Sequence, residues 1–192
     1  MSPSLNIDLL PAEKAHMTLL AKWRKAMDLV GPGPLEPHFE DAALAMGALR
    51  PEMGPEGSPG PLWADLGSGA GFPGVALAAR HPGLQVQWVE SRQRRVAFLK
   101  RVLGSLSNAR IHHGRSETLP DGAYQGIVSR AYKPPAGVFE DARRLLAPGG
   151  HVALMRAEED VEAPADFEMF HVEHYALSDG RTRCLLQLRR LD

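Results

Sequence analysis

The residues best suited to chemistry form a glycine-rich run at 65–71, which reads Asp-Leu-Gly-Ser-Gly-Ala-Gly. The run follows a short apolar segment and precedes a segment with helical spacing. Glycines permit a sharp backbone turn and the close approach of a ligand, because they carry no Cβ. A helix that begins there adds free N–H groups and a partial positive charge. The run therefore predicts a loop that cradles a ligand.

A single acidic residue, Glu90, ends the next apolar run at 86–90. In a doubly wound sheet, neighbouring parallel strands end at the same edge, so this carboxylate is expected beside the glycine loop. A carboxylate in that place can accept hydrogen bonds from both hydroxyls of an adenosine ribose. Glu90 and the loop together predict a site for an adenosine-containing cofactor.

Two registers of the glycine run predict different cofactors. The dinucleotide motif G-x-G-x-x-G is met by Gly69, Gly71 and Gly74. A second register, acid-x-G-x-G-x-G, is met by Asp65, Gly67, Gly69 and Gly71. The second register uses every glycine of the loop and is similar to the first motif of S-adenosylmethionine-dependent methyltransferases, so it is favoured. A dinucleotide, or a glycine turn without any ligand, stays open as an alternative.

The elements that must position these residues alternate along the chain from residue 62 onward. Runs typical of strands lie at 62–66, 86–90, 110–114, 124–131 and 151–156. Segments typical of helices lie at 72–80, 93–106 and 137–147. Two last runs, 167–177 and 181–190, flank Ser-Asp-Gly and predict an antiparallel hairpin. We expect an α/β fold of the Rossmann-like class I methyltransferase type, mostly parallel, with a C-terminal antiparallel hairpin.

Two further helices are predicted before the first strand, at 11–30 and about 37–49, because apolar residues recur there at helical spacing. The segment that follows is rich in proline and glycine, which is typical of a loop. We therefore divide the chain into a small N-terminal helical extension at 1–50, a linker at 51–61 and a methyltransferase domain at 62–192.

Composition narrows the class of protein. The 192 residues carry a formal net charge of −1, which excludes a globally basic nucleic-acid coat but permits a local basic face. One cysteine, Cys184, excludes a disulfide framework and a cysteine-rich zinc site. His112 and His113 are adjacent in a predicted strand and point to opposite faces, so no metal site is expected. No signal peptide or membrane span is recognised, so we expect a cytoplasmic protein.

Five segments, in this order and spacing, resemble one bacterial enzyme family. They are DLGSGAGFPGVALA at 65–78, VES at 89–91, VAFLK at 96–100, GRSE at 114–117 and SRA at 129–131. Together they resemble the small-subunit (16S) rRNA guanine-N7 methyltransferases, once named glucose-inhibited division protein B. The resemblance is strong from about 62 to 132 and fainter over the N-terminal helices. It implies an S-adenosylmethionine-dependent enzyme whose partner is ribosomal RNA or a ribosomal particle.

The resemblance also implies roles in binding the cofactor. Gly67 and Phe72 would line its methionine and ribose side, and Glu90 would take the ribose hydroxyls. Ser116 and Glu117, after the third strand, would frame the adenine. The full set of cofactor-binding residues that the resemblance implies is Asp65, Gly67, Gly69, Gly71, Phe72, Glu90, Ser116, Glu117 and Arg130.

On the RNA side, the resemblance places Arg130 at the mouth where cofactor and target base meet. The expected RNA contacts are Arg94, Arg95, Arg115, Lys133 and Arg156. Three positions depart from the family pattern: Asp28-Leu29-Val30 replaces Asn-Leu-Thr, Pro37 replaces an arginine, and Arg156-Ala157 replaces Lys-Gly. These departures bear on how RNA is held rather than on the cofactor.

The expected chemistry needs little from the side chains. Guanine N7 has a lone pair and no proton, so the task is alignment and exclusion of water, with Arg130 as a positioning residue and no general base. Exocyclic-amine enzymes typically carry Asn/Asp-Pro-Pro-aromatic where this chain has Ser-Arg-Ala-Tyr at 129–132. A pyrimidine-C5 enzyme needs a cysteine nucleophile near the mouth, whereas Cys184 lies in the last strand. Another acceptor, or a cofactor- and RNA-binding module without catalysis, stays open.

Overall fold

A computed structural model describes residues 7–53 and 60–191 of the chain. Its strands are β1 (Leu62–Leu66), β2 (Gln85–Glu90), β3 (Ala109–His113), β4 (Tyr124–Arg130), β5 (Leu146–Arg156), β6 (Phe167–Ala176) and β7 (Thr182–Arg190). They form one sheet in the order β3-β2-β1-β4-β5-β7-β6. Strands β1 to β5 are parallel, and β7 is antiparallel to both β5 and β6. The predicted α/β fold with a terminal antiparallel hairpin is confirmed.

The helices cover the sheet on both faces. They are α1 (Pro11–Met27), α2 (Glu36–Ala48), α3 (Gly74–Arg80), α4 (Gln93–Leu103) and α5 (Pro135–Leu145). Neighbouring residues of one strand point to opposite faces, so Trp63 joins the apolar cluster under α1 to α4 and Ala64 joins the cluster under α5. Each face of the sheet therefore has its own buried core.

The two N-terminal helices contribute to the first of these cores. Leu20 of α1 and Met46 of α2 are fully buried in the cluster that also holds Trp63 of β1. Glu13 of α1 accepts a hydrogen bond from Nε of Arg80 in α3 at 2.8 Å. The helices predicted before the first strand thus join the core of the domain, α1 against α3 and α4, and α2 against α3 and strands β6 and β7. The linker predicted at 51–61 lies largely outside the described residues.

One predicted boundary was wrong, at the junction of α5 and β5. The sequence predicted a helix over 137–147 and a strand from residue 151, but β5 already begins at Leu146. Leu146 pairs with Tyr124 of β4, and the register then shifts before His151 pairs with Gly126. Gly149, at φ 68°, allows this irregularity, so the Pro-Gly-Gly at 148–150 lies within the strand.

Other helix ends differ from the prediction as well. Helix α1 ends at Met27 instead of residue 30, because Asp28 adopts a left-handed φ of 51°. Helix α3 begins at Gly74 instead of residue 72, since the preceding residues form turns. Helix α4 ends at Leu103 instead of residue 106. Each shift moves a loop residue, and none moves a strand that carries the predicted site.

Candidate functional site

The glycine loop is held against the end of β2 by its own backbone. The N–H groups of Gly67 and Ser68 both donate to the carbonyl oxygen of Val89, each at 3.0 Å. Gly67, Gly69 and Gly71 have φ values of 73°, 55° and 96°. These are left-handed conformations that glycine adopts without strain, so the loop requires glycine at all three positions.

Asp65 lies beneath this loop and is completely buried. Its Oδ2 accepts a hydrogen bond from the N–H of Gly74 at 3.1 Å, which ties the end of β1 to the start of α3. A Cβ on Gly74 would stand 2.4 Å from the same oxygen, so Gly74 serves close packing here. Burial raises the pKa of Asp65 to about 7, against hydrogen bonds from Ser68 and Gly74 that lower it.

Glu90 ends β2 with its carboxylate turned toward the loop. Its Oε2 accepts a hydrogen bond from the N–H of Gly69 at 3.0 Å, and its Oε1 accepts one from the N–H of Arg92 at 2.7 Å. The side chain is buried apart from a 5% exposed fraction. Glu90 is therefore fixed in place by backbone donors and faces the neighbouring cavity.

We call that space the glycine-loop cavity. It has a volume of about 560 Å³ and lies beyond the ends of β1, β2 and β3. Of the residues predicted to bind the cofactor, Gly67, Glu90, Ser116 and Glu117 line it. Three predicted RNA contacts, Arg95, Arg115 and Lys133, also line it. Asp65, Gly69, Gly71, Phe72 and Arg130 do not, so the structure separates the predicted set into cavity walls and supports.

A hydrogen-bonded chain that the sequence analysis missed closes one side of the glycine-loop cavity. The Tyr132 hydroxyl donates to Oγ of Ser116 at 2.9 Å, and Ser116 donates to Oδ1 of Asp141 at 3.1 Å. Nζ of Lys133 donates to the other oxygen of Asp141 at 2.8 Å. Asp141 lies within α5 and is distant in sequence from the motifs, so no local pattern could have identified it.

A second space, the arginine cavity, has a volume of about 520 Å³. Its walls come from α2, the ends of β4 and β5, and the turn of the terminal hairpin. Arg130, Arg156, Arg181 and Arg183 all line it. Ala131 lines both cavities and has a left-handed φ of 53°. The two cavities therefore meet at one residue that directly follows β4.

Arg130 is held at this junction from several sides. Its Nη1 lies 3.3 Å from Oδ2 of Asp41, and its Nη2 lies 3.2 Å from Nδ1 of His38. Its Cζ lies 4.8 Å from the centroid of the Phe72 ring, a cation–π contact. Burial lowers the pKa of Arg130, and the carboxylate of Asp41 opposes that shift. The guanidinium stays charged and has a fixed orientation.

Phe72 supports Arg130 from within an aromatic cluster. Its ring packs against Phe39 at 4.8 Å and against His16 at 5.0 Å. The Nε2–H of His16 donates to the carbonyl oxygen of Ala70 at 2.6 Å, which ties α1 to the glycine loop. Burial lowers the pKa of His16 to about 4. The helical spacing predicted at 11–30 did not indicate this contact.

The remaining residues predicted to contact RNA differ in whether a carboxylate neutralises their charge. Nη2 of Arg156 pairs with Asp160 at 2.7 Å, on the wall of the arginine cavity. Arg94 and Arg95 line a smaller cavity of about 230 Å³ beside Asp28. Within residues 7–53 and 60–191, no carboxylate lies within 4.0 Å of the guanidinium of Arg94 or Arg115. These two arginines have unpaired charge.

The described residues lack the features of two other classes of site. In this part of the chain, no group of three or more histidine, cysteine, aspartate or glutamate side chains could hold a metal ion. Cys184 is buried in β7 and pairs in register with Arg156 of β5. No helix within the same residues is long and apolar enough to cross a membrane.

The chain shares its fold with solved structures. The chain aligns with cofactor-bound Rv0187 from MTB at a TM-score of 0.64 and 17% identity, covering 97% of this chain and 93% of that one. It aligns with a SAM-dependent methyltransferase from Aquifex aeolicus at a TM-score of 0.57 and 17% identity, covering 89% and 98%. At these identities the likeness shows the fold.

Sequence relatives are closer. A protein named ribosomal RNA small subunit methyltransferase G from Albidiferax ferrireducens is 31% identical, over 91% of this chain and 86% of its own length. One with the same name from Stenotrophomonas maltophilia is 34% identical, over 89% and 82%. The family described as rRNA small subunit methyltransferase G matches residues 11–181. The chain therefore belongs to the rRNA small subunit methyltransferase G family.

Proposed function

We propose that the chain transfers a methyl group from S-adenosylmethionine to N7 of a guanine in small-subunit ribosomal RNA. Membership of the family makes the chain an S-adenosylmethionine-dependent rRNA methyltransferase. The observation that carries the proposal is the meeting of two cavities at Ala131, one built around the glycine loop and one lined by arginines. A donor in the first and a base in the second would meet at that junction.

The glycine-loop cavity suits the methyl donor. Its volume of about 560 Å³ lies within the range of small-molecule sites. Gly67 lets the Tyr132 ring pack closely on the loop at the cavity wall, and Glu90 offers fixed carboxylate oxygens that can accept from ribose hydroxyls. Ser116 and Glu117 would frame the adenine. When bound, S-adenosylmethionine supplies an electrophilic methyl group on a sulfonium.

The supporting residues would act one step away from the donor. Asp65 holds the start of α3 through Gly74. Gly69 fixes Glu90 through its N–H. Gly71 completes the turn, and Phe72 carries the ring on which Arg130 stacks. We assign these four residues the role of shaping the cofactor site, in place of the direct contact that the resemblance implied.

The arginine cavity suits the acceptor base. N7 of guanine has a lone pair, so the protein must orient the base and exclude water rather than remove a proton. Arg130 is our candidate positioning residue, because its guanidinium is fixed by Asp41, His38 and Phe72 at the junction. A base that stacks or hydrogen-bonds there would present its edge to the glycine-loop cavity.

Ribosomal RNA is the partner that the family's name gives. We propose that basic residues around the two cavities contact this RNA. Arg94, Arg95 and Arg115 offer cations near the glycine-loop cavity, while Lys133 and Arg156 would exchange their carboxylate partners for phosphates. Such contacts weaken as salt concentration rises. We propose that the enzyme acts in the cytoplasm, where it would meet ribosomal RNA or an assembled subunit.

We also propose the division into an extension at 1–50, a linker at 51–61 and a methyltransferase domain at 62–192. The support is that all seven strands lie after residue 61. The extension supplies His38 and Asp41 to the arginine cavity. Its role is thus to complete the acceptor side, through α2, which packs on α3 and on strands β6 and β7.

The test is methyl transfer with labelled S-adenosylmethionine to small-subunit rRNA that lacks the modification, both as naked RNA and as small ribosomal subunits. We expect label in one of these substrates and, after digestion, in 7-methylguanosine. Label in another nucleoside, or in protein, would reject N7 specificity. Cofactor binding without transfer to either substrate would favour a binding module or a different acceptor.

A further inference from the structure

The terminal hairpin forms one wall of the arginine cavity and is tied to α2. The hydroxyl of Ser178 donates to Oε2 of Glu40 at 2.7 Å, and the backbone N–H of Ser178 donates to the same oxygen at 2.9 Å. The Tyr175 hydroxyl donates to Oδ1 of Asp41 at 2.8 Å. These bonds fix the hairpin turn, so the arginines that follow it have a defined place beside the cavity.

The four arginines of this cavity differ in their partners. Three are paired: Arg130 with Asp41 at 3.3 Å, Arg156 with Asp160 at 2.7 Å, and Arg181 with Asp179 at 2.6 Å. The fourth, Arg183, donates from Nη1 to the carbonyl oxygen of Thr182 at 2.9 Å. No carboxylate among the described residues lies within 4.0 Å of its guanidinium.

The unpaired charge of Arg183 acts on its neighbours. Burial lowers the pKa of both His38 and Arg130, and the charge of Arg183 contributes to both shifts in the same direction. The side chain is half-buried, so water screens this repulsion less than at an open surface. An anion in the arginine cavity would relieve it.

The proposed reaction indicates which anion. Arginine reads guanine by donating to O6 and N7 together. That contact would occupy the lone pair that must attack the methyl group, so it is incompatible with methylation at N7. A phosphate offers the same fork of acceptors without engaging the base. The free donors of Arg183 therefore suit the RNA backbone.

We propose that Arg183 binds a phosphate of the RNA strand whose guanine enters the arginine cavity, which makes the terminal hairpin part of the RNA-binding site. This inference rests on the proposed function, because the family and the acceptor cavity identify the strand as RNA. Phosphate contacts fix register and orientation without reading sequence. Arg183 is thus a positioning residue for the substrate.

The test compares Arg183→Ala and Arg183→Lys with a control on the same strand, Arg189→Ala. Arg189 pairs with Glu168 on the exposed surface and lines neither cavity. Affinity for small-subunit rRNA is measured directly, in the presence of S-adenosylhomocysteine and across a salt series. We expect Arg183→Ala to weaken RNA binding about tenfold, as for the loss of a charged hydrogen bond, and to reduce the salt slope by about 0.7 to 0.9.

Arg183→Lys should keep most of the salt slope, because it keeps the charge, and should recover part of the affinity. The control should bind RNA as the unchanged chain does, and affinity for S-adenosylhomocysteine should stay within about twofold in all variants. Equal RNA affinity and salt slope in Arg183→Ala and the control would overturn the inference. So would a loss of affinity for S-adenosylhomocysteine as large as the loss for RNA. Because binding is measured without turnover, failure of the proposed methylation is seen separately.

Discussion

Gly67 has two independent reasons to be glycine. Its φ is +73°, and a Cβ there would stand 2.5 Å from Cδ2 of Tyr132, on the wall of the glycine-loop cavity. We therefore expect Gly67→Ala to weaken binding of S-adenosylhomocysteine by about 30-fold, because displacing the Tyr132 ring from the cavity wall would cost about 2 kcal/mol of binding free energy. Isothermal calorimetry would measure this change.

The matched control is Gly149→Ala, which has a φ of +68° with open space around its Cβ and lies in β5. It carries the same backbone cost of about 1 kcal/mol in stability and should leave cofactor affinity unchanged. Gly69→Ala should fall between the two, because its nearest neighbours are 3.6 Å away. Equal loss of affinity in Gly67→Ala and Gly149→Ala would show that the effect comes from folding alone.

Arg130 combines an ion pair with a place at the junction of the cavities. Arg130→Ala should reduce kcat/KM by about 100-fold, as for a lost positioning donor. It should also reduce the free energy of unfolding by about 2 kcal/mol, because it leaves Asp41 buried without its cation. Steady-state kinetics and urea unfolding measure the two effects.

The double variant Arg130→Ala/Asp41→Asn separates them. Removing the leftover carboxylate should restore most of the stability, while turnover should stay low. If turnover returned together with stability, Arg130 would be a structural residue and our assignment would be wrong. Affinity for S-adenosylhomocysteine should change little in either variant, since Arg130 does not line the glycine-loop cavity.

At the residue scale, the sequence identified those site residues that belong to local motifs. The run at 65–71 and Glu90 stand next to each other in the structure because strand topology requires it. Tyr132 lines the cavity and is linked through Ser116 to Asp141, and that link depends on how α5 packs. The sequence also could not separate Gly67, which lines the cavity, from Asp65, which supports the loop from below. That distinction depends on side-chain direction.

At the scale of elements, α1 is docked on the glycine loop through a neutral histidine. Burial lowers the pKa of His16 to about 4, from an ordinary value near 6.5 in the unfolded chain. Its stabilising effect is therefore complete above pH 6.5 and is lost as pH falls toward 4, because the unfolded chain takes up the proton first. We expect a contribution of about 2 kcal/mol to disappear between pH 7 and pH 5.

Urea unfolding of the unchanged chain and of His16→Gln at these two pH values isolates this effect. Other groups titrate over the same window, including Asp65, whose raised pKa acts in the opposite direction. The difference between the two proteins removes their contribution. The unchanged chain should lose about 2 kcal/mol more than His16→Gln between pH 7 and pH 5. An identical pH dependence in the two would contradict the assignment of a neutral, buried His16.

Strands and helices could be predicted from the sequence where they alternate regularly. The strands at 62–66 and 86–90 and the terminal hairpin follow from apolar runs and turn residues. The early start of β5 could not be predicted in this way, because Pro-Gly-Gly at 148–150 is typical of a loop. Pairing of Leu146 with Tyr124 overrides that local preference.

At the scale of the whole molecule, four arginines that are dispersed in the sequence line one cavity, together with Asp41, Glu158 and Asp160. Arg130, Arg156, Arg181 and Arg183 converge on one cavity from three strands and a turn. Composition could not indicate this clustering, because these residues are dispersed along the chain and meet only in the folded sheet. The proposed RNA-binding side is thus a product of topology, while the proposed cofactor side can be recognised from one motif.

We propose that the glycine-loop cavity holds the methyl donor and opens at Ala131 toward the arginine cavity. The most direct measurement is a crystal structure of the chain with S-adenosylhomocysteine. We predict density for the ribose within hydrogen-bond distance of Glu90, for the adenine beside Ser116, and for the sulfur directed at Ala131. A ligand bound elsewhere, or no ligand in the glycine-loop cavity at saturating S-adenosylhomocysteine, would contradict the proposal.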